Sequence, residues 1–178
     1  MKAKEIAWSV PVAADDISET GLHMEIEAPA DVRARIAEIA GLRELPQLSA
    51  TFDLAKQGSR VSVTGQVHAT VGQTCVVTLE PVENRIEEAV DLVFAPLPAG
   101  VTAETDDGRR RKGAEPPEPL REGSVDLGAV ATEFLVLGID PYPRKAGAQF
   151  TPPKATDDGA HPFAALEALK KRSGSHKS

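Results

Sequence analysis

The sequence predicts an α+β fold, in which an antiparallel sheet of about six strands, able to curl into a barrel-like shape, packs against two helices, and a short helix follows near the C-terminus. Two observations support this prediction. Apolar and polar residues alternate along several consecutive segments, as in strands with one buried face. Two other segments carry apolar residues at helical spacing beside capping residues. The expected organisation is an α+β domain over 1–143, a flexible linker over 144–160, and a short C-terminal helix with a basic tail over 161–178.

The clearest alternation lies in the segment 61–94, VSVTGQVHATVGQTCVVTLEPVENRIEEAVDLVF. Its first strand runs to Val71, with valines on one face and polar residues on the other. Gly72 is expected to allow a turn, and a turn over Pro81–Arg85 then leads into a strand that ends at Phe94. Between the turns, a short second strand has three apolar residues on one face: Cys75, Val77 and Leu79. The segment therefore predicts a three-stranded antiparallel meander.

The N-terminal part of the chain supplies further elements of the sheet. The expected elements are an edge strand over 5–12, a strand over 22–28, a helix over 29–40 and a strand over 48–54. Gly41 is a plausible C-cap of the helix. The residues 56–59 (KQGS) are expected to turn the last of these strands back into the strand at Val61, which makes a hairpin.

The character of the sequence changes after Phe94. The segment 95–123 is rich in proline, glycine and charge, and it predicts a mobile loop because it buries little apolar surface. Ser124 or Asp126 is expected to cap a helix that ends at Gly138. The apolar face of this helix should pack on the sheet, and it comprises Leu127, Val130, Ala131, Phe134 and Leu135.

Composition narrows the function classes. The chain has 178 residues and a formal net charge of −7; hydrophobic residues make up 41% of it and aromatic residues 4%. An acidic chain is poorly suited to covering bare nucleic acid broadly, although a local basic segment can still touch RNA. No apolar run approaches the ~20 residues that span a bilayer, and the start MKAKEIAWSVPV lacks the apolar core of a signal peptide. A cytoplasmic protein without a membrane partner is expected.

No catalytic constellation, metal site or cofactor motif is recognisable in the sequence. The glycines are scattered and form no phosphate-binding loop after a strand. Cys75 is the single cysteine, which excludes an internal disulfide and an all-cysteine metal site within the chain. Its expected role is that of a small buried hydrophobe, because nothing nearby in the sequence would lower its pKa. The four histidines, His23, His68, His161 and His176, lie far apart and form no ligand-spaced pair. His23 and His68 fall on polar faces of predicted strands and are interpreted as solvated surface residues, with a ligand role as the alternative.

Acidic residues concentrate in one part of the central segment. They are Glu80, Glu83, Glu87, Glu88 and Asp91. A catalytic pair of carboxylates would require burial to tune a pKa. The positions of these residues fit the solvent face and the turn of a hairpin better.

Candidate contacts with RNA or a partner protein lie in the second half of the chain. The basic run 109–112 is either a solvated loop flanked by acids or a contact with RNA or the ribosome, and the basic end 170–177 is typical of nucleic-acid or partner contacts. The apolar side of the predicted C-terminal helix either packs on the sheet or anchors a partner. The full set of candidates is Arg109, Arg110, Arg111, Lys112, Arg144, Lys145, Pro162, Phe163, Leu166, Leu169, Lys170, Lys171 and Arg172.

Three segments, taken together in this order, resemble one protein family. The first, QTCVVTLEPV at 73–82, stands where members carry Cys-x-x-Cys-Leu followed by a proline and an apolar residue. The second runs from Val125 through the apolar helix to the sequence DPYPR at 140–144. The third, HPFAALEALK at 161–170, is similar to a terminal Asn-Pro-Phe-Ala-x-Leu-x-x-Leu-Lys. The pattern resembles the YceD-like proteins, the large ribosomal RNA subunit accumulation family.

The resemblance implies a non-enzymatic factor in ribosome biogenesis that supports accumulation of the large-subunit (23S) ribosomal RNA. Its partners would be that RNA, an assembly intermediate of the ribosome, or a ribosomal protein. This chain departs from the family pattern at Thr78, where the second cysteine would stand. A zinc or redox role of a cysteine pair is therefore not expected here.

Two other function classes remain open from the residues alone. A closed antiparallel sheet can hold a small molecule in its mouth, as a ligand-binding barrel or a small enzyme, and it would show a large apolar pocket with converging polar groups. A protein–protein scaffold unrelated to RNA would differ in salt dependence, because phosphate contacts weaken steeply with salt and apolar contacts do not.

Overall fold

The computed structural model describes residues 7–96 and 117–150. The chain divides into a unit of Met1–Ala148 and a unit of Gln149–Ser178, and every element below belongs to the first. The strands are β1 (Pro11–Ala13), β2 (Leu22–Glu27), β3 (Glu44–Gln57), β4 (Arg60–Thr74), β5 (Pro81–Ala95), β6 (Glu118–Pro119) and β7 (Ser124–Asp126). The α-helices are α1 (Ala30–Ala40) and α2 (Leu127–Gly138), and a short 3-10 turn covers Ala14–Asp16.

The main sheet has the strand order β2-β3-β4-β5-β6, and its first four strands are antiparallel neighbours. One face is buried by alternate side chains of β3, β4 and β5, packed together with α2. The opposite face is polar and open to solvent. The core is aliphatic, as the composition predicts, and its largest fully buried side chains are Phe52, Ile36, Leu48, Leu54, Leu127 and Leu135.

The α+β class is confirmed, but the barrel-like closure is wrong for the described residues. The main sheet contains five strands, and its two outer strands, β2 and β6, are not paired with each other. A closed barrel needs a continuous ladder between its first and last strands. The strand β6 is two residues long, too short to continue the sheet around.

The predicted meander over 61–94 is a single long hairpin. The strand β4 continues through Gly72, which lies opposite Glu83, and β5 begins at Pro81, opposite Thr74. The chain turns between these strands, over 75–80, where a strand was expected. The apolar residues Cys75, Val77 and Leu79 predicted a strand with one buried face. Cys75 is buried as expected, but Leu79 is 75% exposed and has a left-handed backbone with φ 59°, which a strand does not contain.

Both helices lie where the sequence places them. The helix α1 ends at Gly41, whose φ of 67° is left-handed and therefore suits glycine. Asp126 caps α2, because its side chain accepts a hydrogen bond from the backbone N–H of Ala129. The expected face of α2 is buried, except that Phe134 is only partly covered.

The N-terminal strand and the segment before α2 differ from the prediction. Of the expected edge strand over 5–12, the described residues 7–10 are not in a strand, and β1 begins at Pro11 and pairs with β7 in a separate two-stranded sheet. The end of the predicted loop over 95–123 contains β6, paired parallel to β5. Leu120 helps to hold β6 beside β5, since its side chain packs against the core and its N–H donates to the carbonyl of Ala95 at 2.9 Å.

Candidate docking site at the Cys75 turn

The turn over 75–80, called here the Cys75 turn, is closed by its own backbone. The N–H of Cys75 donates to the carbonyl of Glu80 at 2.8 Å, and the N–H of Leu79 donates to the carbonyl of Cys75 at 3.0 Å. These bonds hold Leu79 in its left-handed conformation. The result is a compact turn at the end of the β4–β5 hairpin, in which the Cys75 side chain is buried and the Leu79 side chain is exposed.

The buried thiol of Cys75 is an acceptor for three backbone N–H groups. Val77 and Thr78 each donate to its Sγ at 3.4 Å from within the turn, and Lys145 donates at 3.3 Å from the other end of the chain. Donors aimed at sulfur favour the thiolate. The Lys145 amide, followed by the side chain and amide of Thr78, lowers the pKa of Cys75 from 9.0 to about 6. The prediction that Cys75 is buried is confirmed, and the prediction that nothing lowers its pKa is wrong.

This environment makes the stability of the fold depend on pH through Cys75. A folded-state pKa below the unfolded value adds stability that is fully present above the unfolded pKa and is lost as pH falls through the folded one. We therefore expect the Cys75→Ala variant to be less stable than the parent, with a difference that is largest at pH 9 and shrinks as pH falls through about 6. Urea unfolding followed by circular dichroism across this range measures it. Val77→Ala is the control, and a pH-independent difference for Cys75→Ala would show that the thiol stays neutral.

A second segment, over 139–148, runs along the Cys75 turn and is called here the strap. The N–H of Val76 donates to the carbonyl of Pro143 at 2.9 Å. Lys145 adds a side-chain contact, because its Nζ donates to Oε2 of Glu80 at 3.0 Å. This ammonium group is the main cause that lowers the pKa of the Glu80 carboxyl. The turn and the strap are thus joined by the backbone bond at Val76, by the N–H of Lys145 to the Cys75 sulfur, and by one ion pair.

Gln73 joins the strap to the sheet beneath the turn. Its Nε2 donates to the carbonyl of Asp140 at 2.8 Å, and its Oε1 accepts from Nδ2 of Asn84 at 2.9 Å. Gln73 is buried, so both ends of its amide need partners. The network places Asp140 over the end of β4. Asp140 in turn accepts from the N–H of Tyr142 at 2.8 Å, which shapes the start of the strap.

The outer surface of the turn and strap carries exposed apolar side chains next to charged ones. Val76, Leu79 and Tyr142 are 46%, 75% and 71% exposed. Arg144 is exposed and Lys145 is half exposed beside them. Large apolar side chains that stay exposed on a rigid frame are typical of a contact surface for another molecule.

The structure describes two of the candidate contact residues, Arg144 and Lys145, and both lie on the strap. The other candidates lie outside the described residues: Arg109, Arg110, Arg111, Lys112, Pro162, Phe163, Leu166, Leu169, Lys170, Lys171 and Arg172. The sequence analysis missed Val76, Leu79 and Tyr142 as surface residues. A strand was expected at the first two, and the run Asp140–Pro143 pointed only to a rigid turn.

The remaining polar constellations are exposed. His23 Nδ1 lies 2.7 Å from Oδ1 of Asp53 and its Nε2 lies 3.7 Å from Oε1 of Glu25. The hydrogen bond to Asp53 is the main cause that raises the pKa of His23. His23 and Asp53 line an open cleft of about 440 Å³ whose lining mixes polar and apolar residues, and it is not a large apolar pocket. Within 7–96 and 117–150, no group of three or more His, Cys, Asp or Glu residues could hold a metal ion.

Among the described residues no helix is long and apolar enough to cross a membrane. No curated protein and no solved structure matches the chain. The sequence profile of one family, described as "Large ribosomal RNA subunit accumulation protein YceD", matches residues 63–170, more than half of the chain. This match confirms the resemblance seen in the motifs and covers most of β4 together with β5, the Cys75 turn, α2 and the strap. The chain belongs to the YceD family of large ribosomal RNA subunit accumulation proteins.

Proposed function

We propose that this protein supports accumulation of the large-subunit (23S) ribosomal RNA as a non-enzymatic cytoplasmic factor that binds RNA or an early assembly partner. The partner contact would be the surface of the Cys75 turn and the strap. One observation supports this proposal above the others. The first family motif and the end of the second meet at the Cys75 turn. The N–H of Val76 donates to the carbonyl of Pro143, and the N–H of Lys145, just after the second motif, donates to Sγ of Cys75, 70 residues away in the sequence.

The surface favours docking over chemistry. Its outward groups are Val76, Leu79 and Tyr142, which carry no nucleophile or general base suited to neutral pH. The reactive group, the Cys75 thiol, is fully buried and occupied by three N–H donors. An apolar anchor beside Arg144 and the Lys145–Glu80 ion pair can bind a protein groove or stack on unpaired RNA bases.

Basic residues in several parts of the chain are candidates for further contacts with the same partner. Arg144 and Lys145 stand next to the apolar anchor. The runs at 109–112 and 170–172, together with the apolar residues of the predicted C-terminal helix, would supply further contacts. A contact with RNA would weaken steeply as salt rises, whereas an apolar contact with a ribosomal protein would not.

The double substitution Leu79→Asp with Tyr142→Ala tests the proposal in cells that depend on the protein. Aspartate tolerates the left-handed backbone of Leu79 better than most residues, so the fold should persist. We expect a lower ratio of large-subunit to small-subunit ribosomal RNA and loss of co-sedimentation with precursor particles. The free energy of unfolding should stay within ~1 kcal/mol of the parent.

Ile39→Asp on α1 is the matched control, because Ile39 is also exposed but lies on the helix that packs against β3. It should leave both readouts unchanged. A folded double variant that sustains normal large-subunit RNA and normal sedimentation would refute the role of this surface.

A further inference from the structure

The strand β5 has a long open edge. It pairs with β4 along its whole length, from Pro81 opposite Thr74 to Phe94 opposite Val61. On its other side, the described residues pair only at Phe94 and Ala95, with β6. The stretch 81–93, called here the β5 edge, therefore presents backbone groups that no described strand uses. Such an edge is a template for an added strand.

Three acidic side chains stand in a regular row on the solvent face of this edge strand. Glu83, Glu87 and Asp91 are all exposed, and they follow one another at every fourth residue. Four residues of strand span about 13 Å, so the carboxylates are evenly spaced along the edge. They are called here the acidic row. Arg85 and Ala89 alternate with them on the same face.

No described ion pair engages the acidic row, although Arg85 stands between Glu83 and Glu87 on the same face. The direct neighbours of the row on β4 are Gly72, His68 and Thr64. In the described part of the chain, no Lys or Arg lies within 4.0 Å of its carboxylates. Opposite charges in directly facing strand positions stabilise a strand pair, and like charges destabilise it. A basic strand added on the open side of β5 would supply complementary charges in directly facing positions.

The charge decides which occupant fits. RNA is disfavoured, because its phosphates would meet carboxylates. A second copy of the chain is disfavoured as well, since two β5 edges paired antiparallel about Glu87 would set acid against acid, and each chain carries a net charge of −7. A strand with Lys or Arg at every fourth residue would set one cation opposite each member of the row.

We propose that the β5 edge binds an extended basic segment of a partner protein by strand addition, with lysine or arginine at every fourth residue facing Glu83, Glu87 and Asp91. The backbone bonds of the edge supply affinity, and the acidic row supplies register and selectivity. This site does not depend on the Cys75 turn. The Leu79→Asp/Tyr142→Ala variant should therefore bind the segment as the parent does, which separates this inference from the proposed function.

The probe is a synthetic nine-residue peptide with Lys at its first, fifth and ninth positions and Thr or Val elsewhere. Fluorescence anisotropy with the full-length protein at low salt measures its binding. Hydrogen exchange of backbone amides should show new protection within 81–93. The Glu87→Lys/Asp91→Lys variant should bind the peptide at least about tenfold more weakly, because two attractive cross-strand pairs become repulsive.

Two controls test whether the effect belongs to this edge. Glu25→Lys/Glu27→Lys changes the net charge equally on the same open face, but on β2, at the opposite edge of the sheet. It should lower affinity far less. A peptide of the same composition with its three lysines adjacent should bind more weakly than the spaced one. If both double variants lost peptide affinity equally, or if both peptides bound equally well, the binding would depend only on overall charge. Either result would overturn the proposal.

The competing occupants give distinct results in the same assays. Protection of 81–93 by a single-stranded RNA oligonucleotide, rather than by the peptide, would overturn the proposal in favour of RNA. A concentration-dependent dimer in analytical ultracentrifugation that protects these amides without peptide would overturn it in favour of self-association.

Discussion

The substitution Asp126→Ala is expected to lower the free energy of unfolding by about 3 kcal/mol, because one carboxylate serves three donors. Its Oδ1 accepts from the N–H of Ala129 at 3.1 Å and from the N–H of Val10 at 2.8 Å, and its Oδ2 accepts from the hydroxyl of Ser9 at 2.6 Å. The same side chain thus caps α2 and ties the N-terminal segment to it. Alanine leaves all of these donors without their acceptor.

Urea unfolding followed by circular dichroism measures the Asp126→Ala effect. Asp126→Asn is the matched control, because its amide oxygen still accepts from both N–H groups and its amino group can donate to Ser9. This control should recover most of the stability. Equal losses in the two variants would show that the negative charge, and not the capping geometry, stabilises this junction.

The substitution Gly65→Ala is expected to destabilise the sheet by about 3 kcal/mol, because the added methyl group has no space at the centre of β4. A Cβ on Gly65 would lie 2.0 Å from the backbone carbonyl oxygen of Thr51 and 2.9 Å from Cδ1 of Phe52. The register sets Gly65 directly opposite Phe52, the largest fully buried side chain. Backbone cannot move aside as a side chain can, so β3 and β4 must separate.

The matched control is Gly72→Ala in the same strand. A Cβ there would meet Cγ of Glu44 at 2.5 Å, but Glu44 is exposed and its side chain can turn away. Thermal unfolding of both variants should show a large fall in Tm for Gly65→Ala and a small one for Gly72→Ala. Similar Tm values for the two would contradict the close approach of β3 and β4 at Gly65.

Asp126 and Gly65 lie in or beside the two elements that lead into the candidate docking site. The helix α2 leads directly into the strap, and β4 leads directly into the Cys75 turn. Loss of the Asp126 cap would loosen the start of α2, at the end of the helix opposite the strap. A variant that unfolds partially at either position should therefore be compared with Leu79→Asp/Tyr142→Ala only under conditions where it remains folded.

The sequence predicted those structural features that depend only on neighbouring residues, such as helix caps and strand alternation. Local requirements predicted Gly41 as a left-handed C-cap and limited the N-cap of the second helix to Ser124 or Asp126. The structure selects Asp126. The valine alternation placed the first part of β4 correctly. It did not place the turn, because an alternating pattern continues as long as buried and exposed residues alternate, whether or not the backbone remains a strand.

In the candidate site as well, some features were visible in the sequence and others depend on distant residues. Its motifs were visible in the sequence, and so were Cys75, Arg144 and Lys145. The three N–H donors around the thiol were not visible, because one of them comes from a residue 70 positions away. The exposure of Leu79 and Tyr142 also depends on which neighbours cover them, and no local pattern reports that.

By itself, the sequence determined the α+β class, the helix boundaries, the aliphatic core and the family. Among the described residues, only the tertiary structure decided that the sheet stays open, that the turn and strap enclose the thiol, and that the acidic row lies along a strand edge that no described strand covers over 81–93. The reason is physical. Propensity, capping and alternation act over a few residues, whereas pKa, exposure and an unpaired strand edge are set by which distant segments come within a few ångströms of one another.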